Sequence, residues 1–290
     1  MKHLIQIHLL VGFLAFVAQN GVQAQYNYTT NADGYSITLT GYTGLGGNVN
    51  IPTNIGGFTV TGIASEAFEG NTNITSITIG NSVTTIGEYA FAQCLSLTSA
   101  TIPASVTNLG EEIFSVCLSL TNAIISHGVT SISLGMFDSC YGLPYVLIPA
   151  SVTNIGSGAF IDCLDLKGIL FEGNAPATLP TSFTADGHLT IYYLLGSTKW
   201  DNYPSESGFT PVLWNPLIQI GGCNFGVRSN QFGFNITSPN NIPIVINACT
   251  NLVNPVWTPL TNVMLTNGSY SFSDKQWTNY QHRYYGIGFP

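Results

Sequence analysis

The sequence predicts a β-rich α/β solenoid, with a parallel sheet on one side and short helical turns opposite, followed by a small all-β sandwich-like domain. Three observations carry that prediction. Phe68, Phe91, Phe114, Phe137 and Phe160 stand 23 residues apart, and Cys94, Cys117, Cys140 and Cys163 keep the same interval. A fixed period of this size, with the same side-chain types in register, marks turns of a coil that bury their apolar faces only against their neighbours. After Pro216 the period stops and separate strand-like runs begin.

The chain divides in order. Residues 1–24 read as a signal peptide: Lys2, an apolar stretch from Leu4 to Val17, and Val22-Gln23-Ala24 before Gln25. A membrane anchor is the competing reading, but Gln6 and His8 interrupt the run, which is shorter than the ~20 residues a spanning helix needs. No later stretch is long and apolar enough to span, so no membrane span is expected after signal cleavage. Residues 25–58 form an N-terminal cap unit. Five repeats fill 59–173, aligned by the phenylalanines and by Ile63, Ile86, Leu109, Ile132 and Ile155, among other apolar columns.

Within a repeat, the alternation around Ile77-Thr78-Ile79 has the period of a half-buried strand, and its copies stack in a parallel sheet at about 4.8 Å per turn. Gly87 to Cys94 carries apolar residues at three-to-four spacing, which suggests one or two helical turns across the coil. Pro103 and Pro149 end strands, where a missing N–H costs no ladder bond. Residues 174–215 are expected to cap the coil with Trp200, Tyr203 and Trp214. Residues 216–290 make the sandwich-like domain, with a hairpin signal at Asn267-Gly268.

The segments Ile102-Pro103-Ala104-Ser105-Val106-Thr107-Asn108-Leu109-Gly110 and Ile148-Pro149-Ala150-Ser151-Val152-Thr153-Asn154-Ile155-Gly156, completed by Gly158 to Leu166, resemble the BspA-like leucine-rich repeat over roughly residues 35–200. Asn71 stands where later copies have cysteine, and Ser126-His127-Gly128 replaces the Pro-Ala-Ser turn. The resemblance implies a bacterial-type, secreted or cell-surface protein that binds other macromolecules. Cys249-Thr250-Asn251-Leu252, Trp257-Thr258-Pro259 and Arg283-Tyr284-Tyr285 resemble C-terminal β modules that end many exported repeat proteins.

Composition narrows the function. Only 7% of residues are charged, and without Lys2 five bases face fourteen acids, about −9. Nucleic acid is an unsuitable partner, because phosphate binding needs basic clusters. The cysteine ladder reads as buried free thiols: stacked parallel Cβ atoms lie too far apart for unstrained bridges, and single evenly spaced cysteines give no tetrahedral zinc set. Cys223 and Cys249 are a candidate disulfide in an exported domain, and the sequence leaves both states open. His127, His188 and His282 stand apart from other ligand types, so neither a catalytic group nor a metal or cofactor site is expected. An enzyme site would need Asp186, His188 and Asp201 to converge.

The outward positions between buried strand residues turn from polar to apolar along the coil: Thr78, Thr101, Ile124, Leu147 and Leu170 in one column, with Tyr145 beside them. Ile124, Tyr145, Leu147 and Leu170 are the candidate binding face. The alternative is that the cap or the C-terminal module folds back over them. The favoured function is an exported, non-enzymatic repeat protein binding an unidentified protein or glycan. The alternative is a structural spacer or assembly protein attached or sorted through its C-terminal module.

Overall fold

The computed structural model describes residues 25–176, 183, 189–201, 209–221 and 224–290. The leader, part of the cap including Tyr203, and Cys223, Asp186 and His188 lie outside the described residues.

An antiparallel pair opens the fold, β1 (Tyr26–Thr30) with β2 (Ser36–Tyr42). Asp33 holds the link: its Oδ1 accepts from the N–H groups of Tyr35 and Ser36, each at 2.9 Å. The chain then winds through β3 (Gly47–Ile51), β4 (Asn54–Ile55) and β5 (Phe58–Ile63) into the repeats. On one side of the coil lie β6 (Ile74–Ile79), β8 (Ser99–Ile102), β10 (Asn122–Ile125), β12 (Tyr145–Ile148) and β14 (Gly168–Phe171), one strand per turn. A second side carries the two-residue strands β7 (Thr85–Ile86), β9 (Asn108–Leu109), β11 (Ser131–Ile132) and β13 (Asn154–Ile155). β15 (Thr190–Leu194) and β16 (Val212–Trp214) extend the first side past the repeats. The result is a β-solenoid of about seven turns.

The third side corrects the helical expectation. The segments around Phe91 and its equivalents are hydrogen-bonded turns, and none is a helix. Tyr89 and Gln93 sit at φ 55° and 57°, as do Glu112 (53°) and Val116 (60°) one turn on. A left-handed residue every fourth position turns alternate N–H groups out of the segment and into the next coil. Tyr89, Phe91 and Gln93 donate to the carbonyls of Glu111, Ile113 and Ser115 at 2.8–3.0 Å, and the same three-bond set recurs at Glu112, Phe114 and Val116. A helix would spend those donors internally. The three-to-four spacing arose from a tight turn that presents the same residues inward.

That turn delivers the core. Phe91, Phe114, Phe137 and Phe160 stack with centroids 5.4–5.7 Å apart, and the column continues to Phe68 and Phe183. Beside it, Cys94, Cys117, Cys140 and Cys163 are free, buried thiols. Each thiol donates to a phenylalanine carbonyl 26 residues earlier, at 3.1–3.2 Å, so the ladder satisfies a column of buried carbonyls as well as filling space. Burial pushes the Cys94 and Cys163 thiols up to about 12.

The stacking fails at one junction. The first-side sheet breaks between β10 and β12, and the second-side sheet between β9 and β11. Thr98, Thr121, Lys167 and Thr190 each donate their N–H to the carbonyl one turn back, at 2.8–3.0 Å; Pro144 holds that column in the fourth turn and has no N–H to give. On the second side, Gly87, Gly110 and Gly156 approach the previous turn so closely that an added Cβ would lie 2.3 Å from a backbone nitrogen. Ser133 occupies their column, and its hydroxyl is buried without a hydrogen-bond partner. The strand ladders are therefore interrupted on two sides, while on the third Glu112, Phe114 and Val116 keep their bonds to the next turn.

The C-terminal region is built of antiparallel strands, with one 3-10 turn at Trp277–Asn279. β17 (Leu217–Gln219), β18 (Gly226–Arg228), β19 (Gln231–Thr237) and β22 (Ser269–Asp274) form one antiparallel sheet, and β20 (Ile242–Cys249), β21 (Thr258–Leu265) and β23 (Tyr284–Gly288) a second. Asn267 and Gly268 both have positive φ, yet they join β21 and β22, which lie in different sheets. The two-residue hairpin is Ser229-Asn230, at φ 46° and 60°, between β18 and β19.

Candidate binding surface

The parallel register places two outward columns on the first side. One runs Asn48, Ser76, Ser99 and Asn122 and resumes with Tyr145, Gly168 and Thr190; the other runs Asn50, Thr78, Thr101 and Ile124 and resumes with Leu147, Leu170 and Tyr192. The inner residues between them, such as Ile77, Ala100, Val146 and Ile169, are buried in the coil. The strand phase read from the sequence thus matches the structure.

The two halves of this face have different surroundings. Leu170 (2% exposed) and Tyr192 (4%) belong to one apolar cluster with Phe234, Ile236, Ile242, Ile244, Ile246 and Leu265 of the C-terminal region, and Leu147 packs against it. Phe289 meets the rings of Tyr145 at 5.4 Å, Tyr192 at 5.6 Å and Trp214 at 6.1 Å, all edge-on. The Trp214 indole N–H donates to the Pro243 carbonyl at 2.8 Å, and the Asn240 amide to the Leu213 carbonyl at 3.0 Å. Gly168 makes room for this: a Cβ there would stand 2.9 Å from the Tyr192 ring and 3.1 Å from that of Tyr145. Burial pushes the phenols of Tyr145 and Tyr192 up.

Of the four residues proposed as a free binding face, then, Tyr145, Leu147 and Leu170 lie against the chain's own C-terminal region. Only Ile124, 47% exposed, faces outward, at the border of the covered half. The uncovered half is Asn48, Asn50, Ser76, Thr78, Ser99, Thr101 and Asn122, all uncharged and polar, none fully buried. Their order is partly internal: the Ser76 hydroxyl donates to Asn48 Oδ1 at 2.8 Å. Beside them, the Thr98 and Thr121 hydroxyls donate to the carbonyls of Thr75 and Thr98.

The C-terminal region adds features that sequence reading missed. Arg283 Nε lies 2.6 Å from Asp274 Oδ2, with both side chains under one-tenth exposed. The Tyr285 hydroxyl donates to the same oxygen at 2.9 Å, and the Tyr280 ring covers the guanidinium at 4.0 Å. Burial, with that hydrogen bond to Asp274, pushes the Tyr285 phenol up to about 12. Arg283 and Tyr285 had been noted only as part of a family likeness, and nothing in the spacing of Asp274 announces its partner. Beside this cluster an apolar groove of about 430 Å³ is lined by Ile220, Phe225, Phe232, Leu252, Trp257 and Tyr284, among others.

Cys249 is a free, buried thiol in this structure. His127 is exposed, with Nε2 3.5 Å from Glu172 Oε2. Among the described residues, no three His, Cys, Asp or Glu side chains converge as a metal site, and no helix is long and apolar enough to cross a membrane.

The fold and its columns define a class, a leucine-rich-repeat solenoid with one end of its sheet face roofed. Residues 48–184, a little under half of the chain, match the BspA type leucine rich repeat region in six copies. Among solved structures, a leucine rich repeat protein of T. pallidum is 26% identical with a TM-score of 0.50, the match covering 59% of this chain and 84% of that one. A leucine rich cell surface protein of Faecalibacterium prausnitzii is 29% identical over 53% of this chain and 55% of that one, with a TM-score of 0.36. A Bacteroides capillosus leucine-rich repeat protein is also 29% identical, over 51% and 95%, with a TM-score of 0.34. No curated protein matches the chain.

Proposed function

We propose that this is an exported, non-enzymatic repeat protein that binds a protein or glycan at the cell surface or outside the cell, through the uncovered N-terminal half of its sheet face. The observation that carries the reading is the pair of columns from Asn48 and Asn50 to Asn122: short hydroxyl and amide side chains, repeated at about 4.8 Å on rigid parallel strands, with no charge among them. Such a surface offers regularly spaced donors and acceptors to a repeating polar ligand and holds its side chains in place before binding, which lowers the ordering cost. The acids of the repeats, Glu88, Glu111, Asp138 and Asp162 among them, stand on the third-side turns instead. Export rests on the charged, apolar and small-residue pattern of residues 1–24.

Glycan and protein arrays probed with the mature chain test the reading against a Thr78→Arg/Thr101→Arg double variant. Both sites lie on the strand surface and tolerate charge. Loss of the wild-type hits is expected; hits that persist in the double variant remove the sheet face from the function. N-terminal sequencing of exported protein is expected to start at Gln25. The second reading, a spacer or assembly unit working through the C-terminal region, is favoured by the exposed apolar groove of that region.

A further inference from the structure

Two exposed apolar surfaces lie away from the sheet face. The first is a ridge. Leu95, Leu118, Tyr141 and Leu164 follow the four cysteines, one per turn, and are 40, 37, 42 and 59% exposed. At about 4.8 Å per turn they run about 14 Å along the third side. Asp138, Asp162 and Asp165 border the C-terminal half of the ridge.

The second is the groove on the C-terminal region. Its floor is pre-formed: Phe232 stacks on Tyr285 at 5.1 Å and takes the edge of Phe225 at 5.8 Å. Trp257 forms one wall over Gly286, where an added Cβ would come within 3.3 Å of the indole. The rim is Ile220, Leu252 and Trp257, 75, 54 and 42% exposed. Arg228 and Lys275 are exposed one residue beyond Val227 and Asp274, the partners of Phe232, and so stand on the outer face of the same sheet, where they set the charge of the region rather than line the groove.

We propose that the ridge of one molecule seats in the groove of the next, so that the protein self-associates head to tail. The charge distribution selects a second copy as the occupant. Residues 25–215 carry thirteen acids against Lys167 and Lys199, whereas residues 216–290 carry Asp274 alone against Arg228, Lys275 and Arg283. The groove thus belongs to the only net-basic part of an acidic molecule, and the ridge to the acidic part. Contiguous apolar surface of this kind marks interaction sites, and complementary charge orients partners. The two patches differ, so the contact is heterologous and propagates rather than closing as a symmetric dimer. This deepens the assembly reading and makes no use of the sheet face.

Sedimentation velocity of the mature protein across a concentration series tests it. Wild type is expected to form faster-sedimenting species as concentration rises. Leu118→Asp/Tyr141→Asp, which spoils the ridge, and Leu252→Asp/Trp257→Asp, which spoils the groove, are each expected to stay monomeric. Mixed in equal amounts, the two are expected to form one heterodimer that grows no further, because each supplies only its intact surface. Should either pair unfold, Leu95→Ser/Leu164→Ser and Ile220→Ser/Leu252→Ser test the same two surfaces with milder changes. A wild type that is monomeric throughout, variants that associate like wild type, or a mixture that stays monomeric would each overturn the proposal. Array binding by the sheet face is expected to survive in all four variants, so failure of that reading is scored separately.

Discussion

Leu170 and Ile124 occupy the same outward column, two turns apart, and differ in what covers them: Leu170 is 2% exposed and Ile124 47%. Introducing aspartate at each therefore separates the coil from its roof. At Leu170 the change forfeits about 1.5–3 kcal/mol of apolar burial, and truncation of a buried leucine with an incompletely refilled cavity reaches about 2–5 kcal/mol. An unpaired carboxylate among Tyr192, Phe234 and Ile244 adds to that, so a loss of at least ~3 kcal/mol is expected. At Ile124 the expected change is within ~0.5 kcal/mol. The loss at Leu170 should fall on the docked region, because its neighbours Ile169 and Phe171 point into the coil and are untouched. Guanidinium unfolding followed by circular dichroism gives the magnitude. Limited proteolysis around residue 215 reports release of the roof, and reactivity of Cys94, Cys117, Cys140 and Cys163 reports the coil. Equal midpoints for the two variants would refute the docked interface. Thiols that open together with the roof would show that the coil and its cover are one unit.

Three further outcomes are expected. Phe114→Ala, at the centre of a ring stack with neighbours at 5.4 and 5.7 Å, should cost about 3–5 kcal/mol in thermal or chemical unfolding, and a wild-type midpoint would contradict the column. Removing Arg283 as Arg283→Met leaves Asp274 buried without its cation and should cost about 3–5 kcal/mol, localised by proteolysis to the C-terminal region; an unchanged digestion pattern would count against that role. Stability should also fall at alkaline pH. Cys94 and Cys163 are raised from 9.0, and Tyr26 and Tyr285 from 10.0, all to about 12. The folded state holds protons that the unfolded chain gives up, so this stability is intact below about pH 9 and is lost as pH rises towards 12. Unfolding midpoints flat across that window would overturn the buried-group assignment.

The coil was legible because its signal is redundant. Phenylalanine and aliphatic columns agree over five copies and cysteine over four, and the alternation around Ile77 fixed which strand residues point inward. What misled was the segment around Phe91. Its spacing suits a helix, but Tyr89 and Gln93 take left-handed conformations that hydrogen bonds to the next turn impose, and such bonds have no signature within one repeat. The polar-to-apolar change from Thr101 to Leu147 was visible too. Whether it meant a partner or an intramolecular roof was not, since both require the same exposed leucine until Phe289 is placed in space. Asn267-Gly268 was read as a hairpin, and it is a turn between strands of different sheets. Which sheets its flanking strands would join depended on long-range pairing that turn chemistry does not encode.

Pro144 and Ser133 have a mechanical consequence. In a solenoid each turn is held only by its neighbours, so cooperativity passes along the rod through whatever bonds cross each junction. Where two of three ladders are cut, the rod has a preset cleavage plane. The C-terminal roof packs on the far side of that plane, on Leu147, Leu170 and Tyr192, and among the described residues its apolar cluster takes none from the other block. Amide exchange should therefore resolve two blocks, with residues 25–127 opening at lower free energy than the roofed turns. Pulled from its ends, the protein should yield first at this plane, shedding the half that carries the open polar face while the roofed half stays folded.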